Sequence, residues 1–423
     1  MKGRVAFLTI GCKVNQCESA ALARSFADAG WQVVSGQADL YVINTCTVTA
    51  EAERKCRQQI RKLAKANPQA QIVAMGCYAQ VAPEELQLPG VKFVVGTTER
   101  SDILALLEGA PPRRHVAALG QGLTFEDLGP GLAERTRATL KIEDGCDEHC
   151  TYCRVRLARG PVRSLPERRV LELAEEFAGR GCKEIVLSGV NLGSWGRDLP
   201  GRPQFWQLLE SLARLPELVR IRLSSIEPPD VTERLLEVMA SHRTICNHIH
   251  LPLQSGSGKV LKLMGRPYTP EGYARIVANI RKFLPQAGLT TDVMVAFPGE
   301  GEAEFLESTE FVEKMAFSRL HVFPYSKRPG TAALRLPGHL PRQEGHRRSQ
   351  RLIALGQRLA EQYHRQFVGR DVEIVLERQA AGLWEGITGE YVRVRAAGQG
   401  ETGQVRTAHV ESWDQSGLLG ALR

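Results

Sequence analysis

The chain has 423 residues, enough for two or three domains, and its 43 % hydrophobic content suffices for sizeable cores. No apolar run reaches the ~18 residues needed to span a membrane. Residues 1–4 and the short apolar run 5–10 lack the length and cleavage site of a signal peptide, so a cytoplasmic protein without membrane contact is expected. The net charge of +8 is unevenly spread: +2 in residues 1–110, +8 in 111–365 and −2 in 366–423. That balance suits RNA without requiring it.

The first 110 residues alternate strand and helix signals. Apolar strands are predicted over 4–10, 39–44 and 71–75, with helical patterns at 18–29 and 49–66. The alternation implies a parallel sheet with covering helices. Each strand is followed at once by a cysteine: Cys12, Cys46 and Cys77. Ligands of open parallel sheets collect beyond the carboxyl ends of strands. Three cysteines so placed can converge although more than 30 residues separate one from the next. Buried structural cysteines at a sheet edge are the alternative reading. On the helix at 49–66, Arg54, Lys55, Arg57, Arg61, Lys62 and Lys65 form either a solvated face or a tRNA-backbone contact.

A Pro/Gly-rich stretch, 110–131, reads as a linker. A second series then predicts six strands, at 139–143, 184–187, 219–223, 248–251, 290–295 and 318–323, with helices between, for example 165–180 and 230–241. Six βα units suggest a full or partial barrel, whose site lies at the carboxyl ends of its strands. A basic helix over 342–367 closes this region, and its cations carry the same two readings as those at 49–66. Beyond it, β-like stretches at 372–376, 391–395 and 404–409 with intervening glycines read as a small all-β barrel.

Ten cysteines in a cytoplasmic chain point to metal or redox chemistry rather than disulfides. The strongest motif is Gly145-Cys146-Asp147-Glu148-His149-Cys150-Thr151-Tyr152-Cys153, a C-x3-C-x2-C spacing directly after the first barrel strand. Three thiolates on one loop can each take one iron of a cubane, leaving the fourth iron open. A structural zinc wants four protein ligands; His149, beside Cys150, would have to fold back to become the fourth.

That spacing, at that place in a βα barrel, resembles the radical S-adenosylmethionine (SAM) superfamily. The opening Gly11-Cys12-Lys13-Val14-Asn15-Gln16, with Asn44-Thr45-Cys46 and Met75-Gly76-Cys77, resembles the methylthiotransferases within it. So do Ala158-Arg159-Gly160, the stretch from His250 to Ser257, and Phe297-Pro298-Gly299-Glu300. The resemblance covers nearly the whole chain. It implies an N-terminal α/β domain over 1–110, a partial (β/α) radical SAM barrel over 132–365 and a TRAM-like β-barrel over 366–423. It also implies two [4Fe–4S] clusters. One, on Cys146, Cys150 and Cys153, binds and cleaves SAM; an auxiliary one, on Cys12, Cys46 and Cys77, carries the sulfur to be transferred. Contacts to SAM are implied for Tyr152, Gly189, Ser225, Glu227, Gln254 and Asp292. Cys17, Cys56, Cys182 and Cys246 match no ligand position and read as small apolar fillers.

Three types share this plan, acting on isopentenyladenosine in tRNA, on threonylcarbamoyladenosine in tRNA, or on an aspartate of a ribosomal protein. Gly-Cys-Lys-Val-Asn-Gln is similar to the second. The implied reaction places a methylthio group on carbon 2 of that adenosine at position 37, beside the anticodon. The implied partners are a tRNA anticodon stem-loop and an electron donor such as flavodoxin or ferredoxin, with the chain a monomer. The reading from a different class is an iron–sulfur protein that binds RNA or carries electrons without catalysis. Two features sit awkwardly with the resemblance. Residues 154–169 hold six arginines and one glutamate, either a solvated face or a phosphate-contacting rim. The terminal barrel is net negative, although Tyr391, Arg393 and Arg395 could form a local RNA patch.

Overall fold

A computed structural model of the chain describes residues 2–111, 113–120, 122–131, 136–216 and 218–423. The expected α/β plan, with its parallel sheet, partial barrel and terminal β-barrel, is borne out. The expected start of the second domain, at 132, lies outside the described residues.

The N-terminal sheet has six parallel strands: β1 (Arg4–Thr9), β2 (Gln32–Val33), β3 (Leu40–Thr45), β4 (Gln71–Gly76), β5 (Val91–Val95) and β6 (Arg113–His115), in the order β2-β1-β3-β4-β5-β6. Its central strand β3 is buried throughout, as a parallel strand with helices on both faces must be. Side chains of alternate parity build two cores, one around Ile43, Ile60 and Ile72, the other around Val42, Phe26 and Val73. The expected linker at 110–131 is corrected at its start. Arg113–His115 adds to β5 as the edge strand, a role its charge conceals from a hydrophobicity reading.

The first helix, Lys13–Asp28, starts five residues before the expected position, with Cys12 as its N-cap. Its start buries the polar Asn15 and Glu18 along with Val14, which is why periodicity missed it. The second, Ala50–Ala66, is capped by the Thr49 hydroxyl, which accepts the Ala52 N–H. Thr9 pairs with Asn44 and Thr45 with Gly76, so Cys12, Cys46 and Cys77 leave three neighbouring strands at one edge.

In the second region, β7 (Arg137–Lys141) is followed by a two-stranded ribbon, β8 (Glu143–Asp144) with β9 (Arg163–Ser164). Five further parallel strands follow: β10 (Glu184–Ser188), β11 (Arg220–Leu223), β12 (His248–His250), β13 (Gly288–Val295) and β14 (Arg319–Pro324). They form sheets β11-β10-β7 and β12-β13-β14, joined by parallel bridges Ile221–Ile245 and Ser225–His250. The arc is a six-stranded partial barrel. Helices such as Glu167–Gly179 and Phe205–Ala213 bury apolar stripes on its outside.

The helix Arg342–Arg365 packs along β14. Its Arg348 is no solvated cation: it is buried against Glu300 at 2.6 Å and Glu344 at 2.7 Å. The chain ends in a closed barrel of β15 (Asp371–Ala380), β16 (Leu383–Ile387), β17 (Arg393–Ala397), β18 (Val405–Asp414) and β19 (Gly417–Leu422). Two of these strands, β16 and β19, are glycine-bearing and were not read from the sequence. The barrel docks tightly on the βα region. Arg222 pairs with Glu184 at 2.7 Å and donates to the carbonyls of Thr388 and Gly389. A Cβ on Gly288 would lie 2.0 Å from the Glu390 carbonyl, so only glycine allows this approach.

Candidate functional site

The N-terminal cysteines and the mouth of the partial barrel face one cavity of about 640 Å3. Cys12, Cys46 and Cys77 line it from the sheet edge, and Ser188, Gly189, Ser224, Ser225, His250 and Asp292 from the barrel strands. Three loops make the cysteine edge. Gly76, at φ +98°, brings Cys77 round: a Cβ there would lie 2.3 Å from the Asn44 side chain. Asn15 braces the group by donating to Asn44 Oδ1 at 2.9 Å and the Thr45 carbonyl at 3.2 Å. Its own Oδ1 accepts from Cys12 Sγ at 3.3 Å and from Arg159 at 3.0 Å. Arg159 Nε also donates to Cys77 Sγ at 3.2 Å. Burial pushes the Cys46 thiol to about 11 and the Cys77 thiol to about 12; neighbouring cysteines add to both shifts.

The second triad sits beside this cavity, on the loop that opens from β8. Val155, two residues past Cys153, lines the cavity and donates its N–H to Cys153 Sγ at 3.4 Å. Glu148 N–H reaches Cys146 Sγ at 3.4 Å, and Arg266 reaches Cys150 Sγ at 3.1 Å. Each sulfur therefore faces one N–H donor. Burial raises all three thiols, Cys146 to about 12 and Cys153 to about 11, and each also feels the charge of a neighbouring cysteine or acid. As thiolates the three would repel one another, and a cationic metal group relieves that repulsion. N–H groups aimed at sulfur are the usual surroundings of an iron–sulfur cluster. At both triads the donor set fits such a group with one open iron.

The mouth also carries buried polar atoms without partners: Glu143 Oε1, Ser188 Oγ, Ser224 Oγ and Gln254 Oε1. Leaving such atoms bare costs free energy, so they mark where a polar ligand belongs. Gly189 makes room, since its Cβ would lie 2.6 Å from Glu143 Oε2. Glu143 and Asp144 are adjacent yet shift in opposite directions. Burial drives Glu143 well above the usual carboxylate range. Burial acts the same way on Asp144, but Arg159, Lys141, Arg100 and Arg163 override it and hold the carboxyl well below that range.

Of the remaining expected SAM contacts, Ser225 and Asp292 line the cavity. Asp292 lies 3.4 Å from His250 and 3.3 Å from His321. Tyr152, Glu227 and Gln254 are not among the cavity's lining residues. Tyr152 packs edge-on against Phe297, and Glu227 pairs with Arg266 behind Cys150. Gln254 adopts φ +66° between Asp292 and Met294. Local reading missed Asn15, Arg159, Arg266, His248 and His321, each of which is fixed by a partner distant in sequence. Only Glu143-Asp144, two acids directly before Gly145-Cys146, carried a visible signal.

The arginines of 154–169 divide. Arg154, Arg159 and Arg163 are buried, neither solvated nor free for phosphate, whereas Arg156 and Arg168 are exposed, as a solvated face requires. Arg154 pairs with Glu53 at 2.7 Å; Arg159 pairs with Glu18 at 2.7 Å and Asp144 at 2.8 Å. Glu18 also meets Lys141 at 2.9 Å and Arg100. Glu18 and Glu53 come from the N-terminal helices, so this network ties the sheet to the barrel. Cys17 sits in the same seam, donating to the Thr139 carbonyl at 3.1 Å.

The description "Uncharacterized protein family UPF0004" matches residues 4–96, and the radical SAM superfamily matches residues 140–312. The threonylcarbamoyladenosine tRNA methylthiotransferase MtaB of Bacillus subtilis (strain 168) is 41 % identical over 404 residues, covering 92 % of this chain and 89 % of that protein. The chain belongs to the radical SAM methylthiotransferase family. A tRNA-2-methylthio-N(6)-dimethylallyladenosine synthase of Moorella thermoacetica is 35 % identical over 391 residues, covering 89 % of this chain and 88 % of the other. Among solved structures, the radical SAM methyltransferase TsrM from Kitasatospora setae, with cobalamin and a [4Fe–4S] cluster bound, matches at a TM-score of 0.59 and 13 % identity. It covers 91 % of this chain and 77 % of that one, a likeness of fold. The radical SAM methylthiotransferase family uses SAM and [4Fe–4S] clusters, as the donor sets above allow.

One glycine of this methylthiotransferase gives a direct check. Gly145 holds φ +84°, and a Cβ there would lie 1.9 Å from the Pro161 carbonyl. Gly145→Ala is expected to displace the loop and cut iron at the Cys146 triad to a small fraction, while iron at the Cys12 triad persists. Iron content and electron paramagnetic resonance of the reduced protein measure both.

Proposed function

We propose that the enzyme adds a methylthio group to carbon 2 of threonylcarbamoyladenosine at position 37 of tRNA. The observation that supports this most is the shared cavity, lined by Cys12, Cys46 and Cys77 on one side and by Gly189, Ser225 and Asp292 on the other. At about 640 Å3 it is in the size range of sites that enclose a small ligand, here a base lifted from its stack. Cys146, Cys150 and Cys153 would hold the cluster that engages SAM, and Cys12, Cys46 and Cys77 the auxiliary one. When bound, these groups supply radical chemistry for a C–H bond too weakly acidic for any base.

The chain's own residues position and shield. Arg266, Glu148 and Val155 aim N–H groups at the sulfurs of the loop. Ser188 and Ser224 offer unpartnered hydroxyls at the mouth. The network of Glu18, Asp144, Arg100, Lys141 and Arg159 fixes the sheet on the barrel, and thereby the distance between the triads. Arg61, Lys62 and Lys65 lie exposed on the helix Ala50–Ala66 and suit contacts to the tRNA backbone. A flavodoxin or ferredoxin would supply the electron. We place the enzyme in the cytoplasm as a monomer; among the described residues no helix is long and apolar enough to cross a membrane.

Anaerobically reconstituted enzyme, given SAM, dithionite and a threonylcarbamoyladenosine stem-loop, is expected to yield 5′-deoxyadenosine and the methylthio nucleoside. Failure to cleave SAM would favour a non-catalytic iron–sulfur protein. Product from a dimethylallyladenosine stem-loop alone would move the substrate to the other tRNA type.

A further inference from the structure

Tyr391 belongs to the C-terminal barrel, yet it lines the cavity of the N-terminal cysteines. It holds φ +69°, a conformation that a non-glycine residue keeps only where its surroundings impose it. Its ring stacks on His248 with centroids 4.6 Å apart. The Arg222 guanidinium lies 5.1 Å from the ring centroid and the Lys13 ammonium 5.5 Å. These are cation–π distances.

The two cations are not equivalent. Arg222 is neutralised by Glu184 and spends its other N–H groups on the barrel carbonyls. Lys13 lines the cavity, and among the described residues no carboxylate pairs with it. The one acid among the described residues that line the cavity, Asp292, is already flanked by His250 and His321. His248 lies on Thr290 at 3.0 Å, which in turn meets His250 at 2.9 Å. Basic groups therefore outnumber acids on this side of the cavity, and its one uncommitted ammonium is steadied by a ring from another domain.

We propose that Lys13, held on the Tyr391 ring, pairs with the free carboxylate on the amino-acid arm of the modified adenine and so selects which modified base is accepted. This rests on the reading of the site as one for threonylcarbamoyladenosine. Threonine joined through its nitrogen keeps its carboxylate; a dimethylallyl arm carries no charge. An uncharged arm in the same place leaves Lys13 shielded from water and unpaired, which disfavours it. A backbone phosphate of the RNA is the other anion that Lys13 could meet.

The test uses reconstituted enzyme and two stem-loops, one with threonylcarbamoyladenosine and one with its carboxylate converted to a methyl amide. Affinity is read by fluorescence anisotropy, without turnover. The native enzyme is expected to prefer the acid by roughly ten- to a hundredfold, as one charge-assisted contact allows. Lys13→Gln is expected to bring the two within about twofold. Lys13→Arg and Tyr391→Phe should keep most of the preference, and Tyr391→Ala should lose part of it. Iron content of each variant shows whether the neighbouring Cys12 site survives. Equal binding of acid and amide by the native enzyme overturns the proposal. So does a Lys13→Gln that weakens both stem-loops equally and lowers the salt dependence, the sign of a phosphate contact. Methylthio product from neither stem-loop would refute the functional reading instead, a result separable from the binding preference.

Discussion

Cys150→Ala is expected to abolish SAM cleavage, while Cys46→Ala keeps it and forms no methylthio product. The two triads hang from different supports. Cys150 rests on a loop braced by Arg266 and by Thr151, whose N–H reaches the Met264 carbonyl at 2.9 Å. Cys46 follows β3 at the sheet edge, where its neighbours are Gly11 and Val48. Neither substitution breaks the ion-pair seam, and removing one sulfur costs about 1 kcal/mol, too little to unfold the chain. 5′-Deoxyadenosine and the modified nucleoside, measured in the same reaction, separate the roles. A Cys46→Ala enzyme that still inserted sulfur would remove the auxiliary assignment.

Arg159→Met is expected to give the largest loss of stability, about 3–5 kcal/mol, toward the lower end because other cations remain. The side chain is 2 % exposed and serves Glu18, Asp144, Asn15 and Cys77 together. Its removal leaves two buried carboxylates short of a partner and the Cys77 sulfur without its donor. Arg168, 91 % exposed and paired with Glu172 on its own helix, is the control, and Arg168→Met should leave the transition where it is. Chemical denaturation reads the first effect. Iron at the auxiliary triad, expected to fall in the Arg159 variant alone, reads the second.

The contrast between these two arginines also explains what was legible in the sequence. Both lie in one basic run, and nothing local tells them apart. Glu18, which decides the matter, is 141 residues from Arg159. The strands at 4–10, 39–44 and 71–75 were readable because buried parallel strands are continuous apolar runs. The cysteines were readable because each stands directly after such a run. The short edge strands were not, since β2 has two residues and β6 reads Arg-Arg-His. Tyr391 looked like part of an RNA patch on a small barrel. Its place in the cavity depends on how that barrel docks, and the docking rests on Gly288 and the Arg222 contacts, which no periodicity reveals.

The central claim joins two cysteine triads across one cavity to one modified base. Its most direct test is mass spectrometry of tRNA nucleosides from cells with and without this protein. The account predicts loss of the methylthio form of threonylcarbamoyladenosine, accumulation of its unmodified parent, and no change in methylthio-isopentenyladenosine. Unchanged levels of the first nucleoside, or loss of the last one instead, would contradict it.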